Sequence, residues 1–205
     1  MGMLLSLPGL PVRCGRLLFM TALLGGFSAD AFAVVRTSTS YRSYFVGGSS
    51  AASLVSYMRS HPFPGDHGPA MANVRASYSL NVATKQSGSV CRASGVTLNV
   101  RFVMTLPSAR SSAMSAGTRS VWNSFVAFAR RHENTHRSIY LSCANAFVAK
   151  AERMTAANCG ALQASIRSSL ASAQRACESR QRAFDRSDAG RARGLSLFTL
   201  ARAKR

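Results

Sequence analysis

The chain has 205 residues and 47% apolar content, which fits one domain with at most a short appendage. Lys and Arg number 26 against 7 Asp and Glu, a formal net charge of +19. That excess would attract anionic cell-envelope polymers, membrane surfaces or nucleic acid, but an Arg-rich composition on a solvated surface is the first reading. No dense basic run with interleaved aromatics occurs, so the sequence carries no dedicated nucleic-acid motif.

Residues 1–33 read as an export signal. Arg13 and Arg16 form a positive start, 17–27 (LLFMTALLGGF) is a short apolar core, and Ala31-Phe32-Ala33 is a small-residue cleavage site. The apolar run is about half of the ~20 residues a membrane span needs, so cleavage after Ala33 is expected rather than anchoring. The mature protein would then be secreted or periplasmic, with a domain over 34–190 and a basic tail over 191–205. Removing the signal leaves Cys91, Cys143, Cys159 and Cys177. An even count in an exported chain suggests two disulfides.

Residues 34–46 (VVRTSTSYRSYFV) are β-branched and aromatic and predict a strand. Gly47-Gly48 breaks it, and Ser49 or Ser50 caps a short helix over 51–59 with Leu54, Val55 and Met58 inward. Residues 61–69 (HPFPGDHGP) predict a loop. Two alternating segments follow. Val74, Ala76, Tyr78, Leu80 and Val82 share one face of the first; Val96, Leu98, Val100, Phe102, Met104 and Leu106 share one face of the second. They are expected to pair antiparallel, with Pro107 ending the second.

From Thr118 a long helical pattern places Trp122, Phe125, Ala129, His132, His136, Ile139, Tyr140, Cys143 and Phe147 on one stripe. Asn158 and Gly160 mark a turn. A second helix over 161–188 carries Leu162, Ile166, Leu170, Ala173, Cys177 and Phe184. The fold class is therefore α+β: a small antiparallel sheet with a short helix, followed by a long antiparallel helical hairpin.

The first long helix contains His132-Glu133-Asn134-Thr135-His136, an H-E-x-x-H match. Residues i and i+4 lie one turn apart on one face, so two imidazoles can grip one ion. Zinc accepts histidine nitrogen at ~2.0–2.1 Å in tetrahedral geometry. Glu133 stands beside that face, placed to take a proton from water rather than to bind the ion. Arg130, Arg131 and Arg137 bring positive charge nearby, which carboxylates must offset.

The hairpin suggests a third ligand. With its turn near Gly160, facing residues have numbers adding to about 320, because both helices rise equally per residue. Cys143 faces Cys177, leaving Cys91 with Cys159. Asp185 and Asp188 lie opposite the motif, and helix phase favours Asp188. His61 and His67 in the Pro-rich loop are rival ligands, although ordinary turn roles suit them better. Glu152 lies ~24 Å from His136 along an unbroken helix and is too far.

With these residues in order, the chain resembles a domain-of-unknown-function family of bacterial proteins described as predicted secreted zinc-dependent proteases. The resemblance runs from about Tyr44 to Phe198. It rests on Tyr44-Phe45-Val46-Gly47, Leu54, Cys91-Arg92, Leu106-Pro107, Trp122, Phe125, the histidine motif, Cys159 and Phe184-Asp185. The resemblance favours Asp185 as third ligand and implies a metallopeptidase. Many members continue from the aromatic-Asp pair into Thr-x-His-Gly, where this chain has Asp188, Gly190 and Arg191.

Two functions follow as expectations. The first is an exported zinc peptidase with Glu133 as general base and peptides or proteins as substrates. The second is a non-enzymatic envelope protein, stapled by zinc and disulfides, whose basic surface binds anionic polymers.

Overall fold

A computed structural model describes residues 33–66 and 68–203. In order these form β1 (Ala33–Phe45), α1 (Ala51–Ser60), β2 (Phe63–Gly65), β3 (Gly68–Ala70), β4 (Asn73–Ser87), β5 (Val90–Ser108), α2 (Ala116–Ala151), β6 (Thr155–Ala156), α3 (Cys159–Arg193) and α4 (Ser196–Ala203). The architecture is α+β. The expected export signal, apart from Ala33, and His67 lie outside the described residues.

The principal sheet has strand order β1-β5-β4, with the short β6 paired to the start of β5. β4 and β5 are antiparallel, as the short polar link between them leads one to expect, and Gly88 (φ 57°) supplies the left-handed residue of their tight turn. β1 pairs with the other edge of β5 in parallel, Val35 opposite Leu98 and Phe45 opposite Ser108. The sheet is thus mixed rather than wholly antiparallel. Alternation identifies a strand's buried face but not its neighbour or direction. The stretch 61–69, expected as a loop, contains the β2–β3 hairpin instead.

One face of this sheet packs on the helical hairpin. Val96, Leu98, Val100, Phe102, Met104 and Leu106 of β5 are buried against Ala129, Tyr140, Phe147 and Val148 of α2 and Leu162 and Ile166 of α3. Each large apolar side chain so buried contributes roughly 1.5–3 kcal/mol. Two disulfides, Cys91–Cys159 and Cys143–Cys177, join the expected pairs.

A second core forms where α1, α4 and the start of α2 meet, around Leu54, Trp122, Phe125, Leu197 and Phe198. Of segment 191–205, expected as a basic tail, the described residues continue α3 to Arg193 and then form α4 (Ser196–Ala203). Leu197, Phe198 and Ala201 share one inward stripe of this short helix.

Candidate metal centre

Both helices of the hairpin start on side-chain caps. Ser115 accepts from the Thr118 amide at the head of α2, and Asn158 accepts from the Ala161 amide at the head of α3. The Cys143–Cys177 bridge then locks the register. Seven residues from Cys143, His136 meets Gln181; His132 meets Asp188.

The hydrogen bonds around these rings fix which tautomer each adopts when neutral. Gln181 donates from Nε2 to the His136 carbonyl at 3.1 Å, so its Oε1 is the atom facing His136 Nδ1 at 2.6 Å. His132 Nδ1 lies 2.7 Å from Asp188 Oδ2, a carboxylate oxygen. Both Nδ1 atoms must therefore carry a proton, and in a neutral ring this leaves Nε2 with its lone pair bare. Those Nε2 atoms face each other at 3.1 Å. Asp185 Oδ1 lies 3.3 Å from His132 Nε2 and 2.8 Å from His136 Nε2.

With both rings neutral, three acceptor atoms converge with no proton of their own to share. A cation relieves that arrangement. For a tetrahedral ion with ligands at ~2.0–2.1 Å, ligand atoms are separated by about 3.3 Å, close to the spacing here. His132, His136 and Asp185 could hold a metal ion. Asp188 is nearly fully buried and bonded to the far nitrogen of His132, with Arg191 Nε donating to its other oxygen at 2.6 Å. Burial raises its pKa, but the bonds from His132 and Arg191 outweigh that and hold it below the usual carboxylate range. Phe184 packs on both imidazoles, at 4.8 and 4.9 Å between ring centres.

Glu133 sits beside this group on the wall of the same cleft. It is buried, and burial pushes it up to about 7, with His132 lowering, Asp185 raising and a Val74 backbone bond lowering that value. The cleft holds about 310 Å³ between α2, α3 and the β2–β3 hairpin with the start of β4.

A family model described as "Bacterial protein of unknown function (DUF922)" matches residues 41–192. The chain belongs to this family. No curated protein and no solved structure matches it.

In this DUF922 domain the geometry brings His132, Glu133, His136 and Asp185 together. Asp188, which helix phase favoured as a ligand, lies against Nδ1 of His132, on the far side of the ring from Asp185. His61 is apart from the group, hydrogen-bonded to Ser60 and stacked on Tyr57 at 4.4 Å. Arg137 turns toward the sheet, donating to Thr39 Oγ1 at 3.2 Å and lying over Phe102, while Arg130 lies over Tyr41. Sequence reasoning missed Gln181. Its signal was a polar residue one turn after Cys177 on an otherwise apolar stripe, where burial demands a partner.

Proposed function

We propose that this DUF922 protein is an exported zinc-dependent peptidase. The reading rests on one observation: two imidazole Nε2 atoms and a carboxylate oxygen converge beside a buried glutamate in an open cleft. Asp185 is 41% exposed, which favours a centre open to water and substrate over a closed structural ion. Two disulfides suit an oxidising compartment, and no helix among the described residues is long and apolar enough to cross a membrane.

His132, His136 and Asp185 would hold the ion. Zinc, when bound, supplies Lewis acidity that polarises a peptide carbonyl and acidifies water. Asp188 and Gln181 keep both rings in the tautomer that presents Nε2. Glu133 takes a proton from the attacking water and delivers it to the departing amine; its raised affinity for protons suits both halves of that transfer.

The test is hydrolysis of a mixed peptide library by the purified protein, before and after chelation and zinc return, with Glu133→Gln alongside. Activity should vanish on chelation, return with zinc, and fall at least about 100-fold in the variant. Zinc-replete protein inert across the library, or an active Glu133→Gln variant, would reject the reading.

A further inference from the structure

The sheet face turned away from the hairpin has a chemistry of its own. None of β1, β4 and β5 contains an Asp or Glu. On the outward pleat, Ser38 lies opposite Arg101, which lies opposite Ser77; two residues along, Arg36 lies opposite Asn99, which lies opposite Ser79. These two rows line an open groove of about 550 Å³. Among the described residues no carboxylate pairs with Arg36 or Arg101, whereas the neighbouring Arg75 is bound to Asp66 at 2.7 Å.

Solvated faces of antiparallel sheets are common, but they usually mix both signs of charge. Here the Cα atoms of two exposed arginines stand ~8 Å apart, from strand spacing and rise, and only short hydroxyl and amide side chains lie between them. The low floor lets an extended chain approach closely. Guanidiniums take carboxylates through paired N–H donors, and the Ser and Asn groups match hydroxyls. The outward rows hold no aromatic residue; Tyr78 borders the groove, but it belongs to the opposite pleat and packs against the core. A nucleobase would have nothing to stack on.

We propose that this face binds a linear acidic polysaccharide, with Arg36 and Arg101 taking its carboxylates and Ser38, Ser77, Ser79 and Asn99 its hydroxyls. The site is separate from the metal centre and does not depend on peptidase activity.

Polygalacturonate, titrated calorimetrically into the purified protein, is the probe. The Arg36→Ser/Arg101→Ser pair should lose about tenfold or more in affinity. The Arg167→Ser/Arg175→Ser pair removes the same charge from exposed positions on α3, across the molecule, and should change it less than about threefold. Binding should survive chelation. Unfolding curves on both pairs establish that the fold is intact. Equal losses in the two pairs would reduce the effect to net charge and overturn the proposal, as would no binding at all. An oligothymidylate that binds more tightly than polygalacturonate, and loses as much in the Arg36/Arg101 pair, would also overturn it in favour of nucleic acid.

Discussion

Changing Asp188 to Asn keeps the shape of the side chain but removes the negative charge that faces His132 Nδ1. If Asp188 orients the ring rather than binding the ion, metal affinity should fall about 10–100-fold in Asp188→Asn. Asp185→Ala deletes a donor atom and should cost more. Competition against a chromophoric chelator reads both; an unchanged Asp188→Asn affinity, or equal losses in the two variants, would contradict these roles. The pair His132 and His136 was legible in the sequence because four residues make one helical turn whatever the tertiary context. The choice between Asp185 and Asp188 was not. Both lie on the facing helix within one turn, and the deciding fact is which imidazole nitrogen each carboxylate meets. That depends on ring rotamers, which spacing does not encode.

At the scale of elements, α2 and α3 carry the site only while their register holds. Cys143–Cys177 spans 34 residues and Cys91–Cys159 spans 68, so in the chain-entropy account each bridge stabilises by roughly 4 kcal/mol. Their effects on the metal should differ. Cys143→Ser/Cys177→Ser frees the helix pair two turns from His136 and should weaken metal binding about tenfold beyond its stability cost. Cys91→Ser/Cys159→Ser frees the β5–β6 end and should leave affinity within about threefold. Chelator competition and denaturant unfolding on both pairs separate these outcomes, and equal affinity losses would count against register control. The hairpin register could be worked out beforehand because two α-helices advance at the same rate. The parallel partnership of β1 with β5 could not, since β1 is polar along much of its length and alternation is silent on direction.

The sheet–helix interface also carries a pH signature. Burial pushes the Tyr78 phenol up to about 12, with Glu178 adding to the shift. A phenol held above its ordinary value of 10 favours the fold in its neutral form. Its contribution is whole below pH 10 and lost as pH rises through 12. Tyr78→Phe should therefore flatten the alkaline decline of stability between about pH 10 and 12. Unfolding curves across that range check it, and a variant with the wild-type slope would place the titration elsewhere.

Over the whole molecule, α2 belongs to two cores at once: its second half packs under the sheet, and its first half meets α1 and α4. The cleft opens between them, with Phe125 from one side and Tyr140 from the other along its wall and Leu195, just before α4, at its edge. Docking of α4 is thus part of what shapes the site, although a basic tail gave little sign of it. Leu197 is fully buried, whereas Leu200 on the same helix is 40% exposed. Leu197→Ala should cost about 2–4 kcal/mol through the cavity it leaves. Leu200→Ala should stay within about 0.5 kcal/mol. Helix propensity is the same for the two changes, so the difference between them measures docking alone. Denaturant midpoints at constant slope provide the comparison. A small effect at both positions would mean that α4 does not hold to the α1–α2 surface in solution, and that the second core closes without it.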